Sequence, residues 1–337
     1  MNEKDKYIKL SIINDTRIIL LGIASLMFMF CHTYEINYLE LIRVPWMANL
    51  VHFIRKTSNS GVDIFLFLSG IGLYLSMTKN KVAKYYKNRF IKIIPKYLII
   101  LIIYSFFTSE MNGLKIIETL LGLPFFMEGV RDGWYIAFIM LLYLIFPLIY
   151  KMFKKYDVIA LFGGLLISIL LNVLLPYFSF SYYMKIEIGL GRIPVFLFGA
   201  YFGKKIYEDK KIPLGMIKYS FIAYIVILFF VYLSFDIEFF LIFSRYLYCP
   251  LIICAVINIS WLYSLVKNRN SWLLKPLKFV GIHSLEMYLL FDKTCNILRY
   301  NYLMTSYVYI YLLAFIISLI LAYILNKSVS FLTNKFV

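Results

Sequence analysis

Charge is scarce in this chain. Asp, Glu, Lys and Arg make up 16% of the 337 residues, and only 18 residues are acidic. A typical soluble domain carries about 25% charged residues. So few polar side chains cannot clothe a soluble protein of this length, and so apolar a chain cannot stay disordered. Histidine occurs three times and cysteine four times, at 31, 249, 254 and 295. Three of the cysteines sit in apolar runs and none has metal-ligand spacing, so neither a disulfide scaffold nor a metal centre is expected. No small-residue cleavage site closes the first apolar run, which reads as a retained span and not a signal peptide. What is abundant is apolar: 62% hydrophobic, 19% aromatic, and a mean hydropathy of +0.79. The fold class is therefore an all-α polytopic membrane protein in a single domain, with no appended soluble domain expected. The net charge of +17 does not point to nucleic acid, because the basic residues lie between apolar runs and not on a basic domain.

A membrane helix needs about 20 mostly apolar residues. Ten ranges qualify as spans: 18–35, 61–78, 94–109, 134–150, 158–177, 189–206, 215–234, 238–263, 279–293 and 305–325. They are apolar all round, unlike the alternating strands of a barrel. The segment 116–127 is too short to cross and reads as an interfacial or re-entrant piece. With the N-terminus on the cytoplasmic side, 25 basic residues fall inside and ten fall outside. That asymmetry places both termini in the cytoplasm. Membrane lipids are the surroundings, and no internal repeat of the kind found in many transporters is visible.

Ionisable residues within spans cost free energy and mark functional sites. His32 closes the first span, with Glu35 three residues on, the separation of one helix face. Asp63 opens the second span from the same side, so it lies at the depth of His32. A simple interfacial histidine and a dipole-stabilising aspartate are the plain alternatives. Arg17 shares a face with His32 about 22 Å away along the axis; it is equally a flanking residue of the positive-inside kind. Arg89 and Lys92 sit one turn apart in a loop with seven basic residues between Lys79 and Lys96, suited either to lipid headgroups or to a phosphorylated ligand. Trp134, Arg192 and Arg245 lie at the outer ends of their spans. His283 and Glu286 share a face in the ninth.

As a set, these motifs resemble the membrane-bound acyltransferase family 3, the bacterial inner-membrane O-acyltransferases. The resemblance is carried by Arg17 with His32, by Gly61-Val62-Asp63-Ile64-Phe65 followed by Ser69-Gly70, and by Arg89-Phe90-Ile91-Lys92-Ile93-Ile94-Pro95. Trp134, Tyr143 and Pro147, then Arg192-Ile193-Pro194 with Gly199, and Gly281 with Ser284-Leu285 and Tyr288-Leu289 complete it. Two departures stand out. Fourteen residues separate Arg17 from His32, where the family has ten, and Lys92 replaces an arginine. The resemblance implies a multi-pass protein of the bacterial cytoplasmic membrane that moves an acyl group, usually acetyl, onto a hydroxyl of a cell-surface or lipid-linked polysaccharide. Acetyl-CoA is then the donor substrate, and no bound cofactor is implied. In that picture His32, supported by Asp63 or Glu35, is general base or acyl carrier. Arg17, Arg89 and Lys92 hold the donor, while Trp134, Arg192 and Arg245 bind the glycan acceptor. A glycan or lipid-intermediate transporter is the competing reading. A family member that has lost activity, argued from the altered Arg17–His32 spacing, is the third.

Overall fold

The computed structural model describes residues 7–108, 112–234, 240–266, 271–301 and 306–333. It is a bundle of helices. The first five are α1 (Ile12–Asp15), α2 (Arg17–Cys31), α3 (Tyr38–Ile42), α4 (Pro45–Thr57) and α5 (Gly61–Lys79). Then come α6 (Val82–Ser105), α7 (Gly113–Leu120), α8 (Trp134–Tyr156), α9 (Val158–Leu190) and α10 (Ile193–Tyr207). The last five are α11 (Leu214–Ser234), α12 (Phe240–Val266), α13 (Lys275–Ile282), α14 (Ser284–Asn301) and α15 (Tyr307–Thr333). The two short strands β1 (Tyr7–Lys9) and β2 (Lys211–Pro213) pair antiparallel, with Ile8 opposite Ile212. This clip and the Lys9–Asp209 ion pair of 2.8 Å put β1 and the turn after α10 at one end of the bundle.

Among the described residues, helix occurs within every range expected to span. Among the described residues, six stretches are long and apolar enough to cross a membrane: Pro45–Lys79, Trp134–Tyr156, Val158–Tyr207, Leu214–Ser234, Arg245–Val266 and Tyr307–Phe331. The protein is thus an all-α, multi-pass membrane protein. The difference from ten has three physical sources. The apolar helix α2 has only 15 residues. The helices α9 and α10 run together as one stretch of 50 residues. Charge interrupts α6 at Arg89, Lys92 and Lys96, and α14 at Glu286, Asp292, Lys293 and Arg299. The segment expected to be re-entrant folds as α7 followed by a five-residue helical turn, Pro124–Glu128.

Glycine sets the closest packing. A Cβ on Gly70 of α5 would press against the Phe196 carbonyl and the Ala200 nitrogen of α10, and one on Gly203 of α10 would meet the Ile71 carbonyl at 2.9 Å. Gly199 meets the backbone of Phe67 in the same way. Small residues four apart let two backbones touch, which compensates in a bilayer for the weak drive of apolar burial. The helix α2 lies against α5 on one side and against α13 and α14 on another. It runs antiparallel to α5: Gly61 packs beside Ala24 and Phe28, while Gly72 packs beside Arg17.

Candidate active site

The helix α2 links two cavities. At its N-terminal end, Arg17 donates from Nη1 to the Leu68 carbonyl at 2.8 Å. Its guanidinium fills the space left by Gly72, where a Cβ would come within 3.1 Å of Nη2. Arg17, Arg89, Lys92 and Lys96 line a cavity of about 400 Å³, together with Ser69, Tyr143 and Tyr288. Arg89 rests between two rings, 5.9 Å from the centroids of Tyr85 and Tyr143, and reaches the Gly72 carbonyl at 3.5 Å. Lys96 is neutralised by Glu286, whose side chain is 1% exposed. Among the described lining residues, Arg17, Arg89 and Lys92 are left without a carboxylate partner. An array of cations in a half-enclosed site suits a polyanion, and the arginines can grip phosphate oxygens in pairs.

At the other end His32 caps α2, and its ring is contacted by Phe28, Asp292 and Cys31, whose Sγ lies 3.2 Å from Nδ1. Nδ1 lies 2.7 Å from the Phe28 carbonyl, an acceptor that holds the proton on Nδ1. Nε2 faces Asp292 Oδ2 at 3.4 Å, and the Phe28 ring packs 4.4 Å away. With Nδ1 donating to the Phe28 carbonyl, Nε2 is the nitrogen that exchanges a proton, and Asp292 faces the charge that its protonation creates. The side chains of His32 and Asp292 are each 33% exposed, in a pocket of about 310 Å³ that also holds Asp132, Asn296 and Arg299.

A layer of rings separates the two cavities. Phe28 lies 4.5 Å from Tyr288, Tyr288 lies 5.1 Å from Tyr135, and Tyr135 lies 6.0 Å from Phe65. Tyr135, Tyr288 and Phe65 form the floor of the cationic cavity, while Phe28 backs His32.

Several expected partnerships fall elsewhere. Asp63 does not reach His32: it pairs with Arg192 at 3.1 Å, and both side chains are 2% exposed. Equal depth in the bundle did not mean an equal facing direction. Glu35 pairs with Arg299 at 2.7 Å and accepts from the Tyr311 hydroxyl. The helix ends at Cys31, so the one-face rule for residues three apart does not carry from His32 to Glu35. Arg192 and Trp134 are buried, with the guanidinium 4.9 Å over the indole. Arg192 also donates to the Ile188 carbonyl at 2.8 Å and to Asn59 Oδ1 at 2.9 Å, so both side chains are engaged within the bundle. Arg245 is held by Glu187 at 3.1 Å, and Glu187 also takes Arg131. His283 and Glu286 separate: His283 meets the Asn326 side chain at 3.1 Å, and Glu286 meets Lys96.

By contrast, Arg17 reaches the same cavity as Arg89 and Lys92 despite its unusual spacing. Sequence reasoning missed Asp292 and Asp132. Asp292 was discoverable as a carboxylate inside an expected span, next to Lys293. Asp132 carried no such signal, being a loop residue before Gly133. That glycine adopts φ 70°, and a Cβ there would be 2.7 Å from the Tyr97 hydroxyl, so the tight turn that presents Asp132 needs glycine. Among the described residues, no cluster of His, Cys, Asp and Glu is arranged to hold a metal.

No curated protein and no solved structure matches the chain significantly. The family model described as an acyltransferase domain matches residues 19–327, nearly the whole length. It takes in His32, Arg89, Lys92 and Asp292, and begins two residues after Arg17. The chain belongs to acyltransferase family 3, and is a membrane acyltransferase.

Proposed function

We propose that this protein transfers an acetyl group from acetyl-CoA to a hydroxyl of a cell-surface or lipid-linked glycan. The observation that carries the reading is a pair of sites at the two ends of α2: near its start, three cations without a carboxylate partner, Arg17 of α2 with Arg89 and Lys92 of α6, and at its end an imidazole whose Nε2 faces Asp292 in an open pocket. The proposed topology has ten crossings in the bacterial cytoplasmic membrane, with both termini inside. The 25 to ten split of basic residues supports it, as does the clip that joins β1 to β2 at one end of the bundle. The cationic cavity then faces the cytoplasm, where acetyl-CoA is made, and His32 faces the opposite side.

In this mechanism Arg17, Arg89 and Lys92 bind the phosphates of the donor. Its thioester arm extends along α2, past the layer formed by Phe28, Tyr135 and Tyr288. Arg17 and His32 are about 22 Å apart along the axis, a reach that a slender arm can make and a sugar need not. His32 Nε2 takes the proton of the acceptor hydroxyl as the hydroxyl oxygen attacks the thioester carbon. A C–O bond forms and the C–S bond breaks. The proton passes from Nε2 to the leaving thiolate, which departs as free CoA. The imidazolium formed between these steps faces the Asp292 carboxylate. The alternative of an acyl carried briefly on Nε2 uses the same geometry. The family match favours transfer over transport.

The test is a kinetic split in proteoliposomes. Arg89→Ala should raise the apparent KM for acetyl-CoA about tenfold, the size of one lost charge-assisted contact, with kcat less affected. His32→Ala should abolish turnover while acetyl-CoA still binds. An unchanged donor KM in Arg89→Ala, at normal protein abundance, overturns the donor assignment.

A further inference from the structure

The proposed reaction leaves open whether the glycan reaches His32 from water or from the membrane, and a third cavity bears on this. It is a groove of about 710 Å³ lying between the end of α6, α7, the loop before α8, and α14. It shares Asp132 and Asn296 with the His32 pocket, so the two adjoin. Its interior suits a sugar. Glu118, Asp132, Thr119 and Asn296 offer acceptors and donors, and the Tyr104 ring offers a flat apolar face. Lys293 is fixed at the junction, 2.8 Å from Asp132 and 4.6 Å over Tyr104.

Its rim is of another character. The helix α7 is amphipathic: Lys115, Glu118 and Thr119 turn toward the groove, while Leu114 and Ile117, with Leu121 just past the helix end, are 66%, 56% and 62% exposed. Across from it, the end of α6 exposes Phe106 at 82% and Phe107 at 57%, and Phe107 is itself part of the groove lining. A short helix with one polar and one strongly apolar face lies in the bilayer interface with the apolar face in lipid. Exposed aromatics at a helix end sit at the same level. The polar groove thus has an apolar wall that is open to the membrane at the height of the headgroups.

We propose that the acceptor is a glycan carried on a membrane lipid, and that it enters this groove sideways between α6 and α7. The sugar occupies the groove with a hydroxyl directed to His32, and the lipid chain leaves across Phe107 and Ile117 into the bilayer. This rests on the transferase reading above and narrows its acceptor.

The experiment uses the full-length protein in nanodiscs with acetyl-CoA labelled in the acetyl group. Two acceptor probes are compared: the lipid-linked glycan fraction extracted into organic solvent from the host's membranes, and the same glycan freed from its lipid by mild acid. The intact fraction should be labelled at least about tenfold faster, since the anchor concentrates it at the bilayer. Anchoring alone would give part of that gain, so the rim supplies the second measurement. Ile117→Glu should slow labelling of the intact acceptor and leave the freed glycan unchanged. Glu118→Gln, inside the groove, should raise the KM for either glycan while the KM for acetyl-CoA holds. Equal labelling of both probes, or an Ile117→Glu variant as active as the parent on the intact acceptor, overturns lateral entry. Acetyl-CoA consumption with neither glycan labelled overturns the glycan acceptor and this inference with it. No consumption of acetyl-CoA under any condition overturns the acetyl-transfer reading itself.

Discussion

Two acid–base pairs lie toward the same end of the bundle, and they differ in almost every respect except type. Asp63 and Arg192 are sealed, with both side chains 2% exposed and the arginine hydrogen bonded to Asn59 and to the Ile188 carbonyl under Trp134. His32 and Asp292 are open, each 33% exposed, with 3.4 Å between Nε2 and the carboxylate and a pocket in front of them. The sealed pair can reach nothing and can exchange nothing with solvent. Its free energy goes into fixing α5 and α10 against the start of α8. The open pair presents Nε2 and the facing carboxylate to that pocket. Charge within a span signals that a residue matters, but access separates a residue that holds the fold from one that does chemistry.

That distinction is breakable by substitution. The largest effect is expected at His32. His32→Ala should lower transfer on the order of 10²–10⁴-fold, the usual contribution of a positioned base, while protein abundance stays normal. Asp63→Ala should act the other way round. It strands a buried guanidinium, at a cost of about 3–5 kcal/mol, so folded yield and thermal stability in detergent should fall steeply. Should Asp63→Ala fold normally and lose only turnover, the sealed pair would belong to the chemistry after all.

Asp292→Asn comes next. It preserves shape but removes the charge facing the imidazolium, so turnover should fall roughly 10- to 100-fold with no change in donor KM or yield. A drop in yield like that of Asp63→Ala would make Asp292 a second structural carboxylate. At the cationic end, Lys92→Ala should raise the donor KM by several-fold only, because Arg17 and Arg89 remain in the same cavity. A loss of turnover at saturating donor would show instead that Lys92 touches the reacting end of the substrate.

The sequence made the helical class legible because hydropathy reports burial in lipid directly; among the described residues helix occurs within each expected range, and six stretches are long and apolar enough to cross. It also made the cationic residues legible as types. Arg17 is the instructive case. Its spacing to His32 departs from the family, yet its side chain enters the cavity of Arg89 because Gly72 leaves room for the guanidinium. Partnership across the fold was not legible. Asp292 is 260 positions beyond His32, and helical periodicity relates only neighbours on one helix. Glu35 looked close because it was counted along a helix that stops at Cys31. Asp63 looked close because depth was inferred without direction. The same break explains His283 and Glu286, since α13 ends at Ile282 and α14 begins at Ser284. The glycan groove was invisible for another reason: its polar lining comes from four separate elements, none of which is unusual alone.

The smallest effect is expected at Glu35, and it tests the comparison most finely. Glu35 pairs with Arg299, with side chains 23% and 25% exposed, and also accepts from Tyr311. Half-open pairs of this kind contribute about 0–1 kcal/mol. Glu35→Gln keeps the Tyr311 hydrogen bond and removes the carboxylate charge facing the Arg299 guanidinium, which still donates to the Tyr311 hydroxyl and to Asn296 Oδ1. Arg299 lines the His32 pocket, where the carboxylates are Asp132 and Asp292, so part of its charge should then be directed at Asp292. That competition weakens the support of the His32 imidazolium without removing it. Turnover should therefore fall by no more than about threefold, a change below 1 kcal/mol, with donor KM and yield unchanged. Arg299→Gln in the same background should restore it, because the competing cation is gone. A loss as large as that of Asp292→Asn, not restored by Arg299→Gln, would return Glu35 to the role of direct partner to the base.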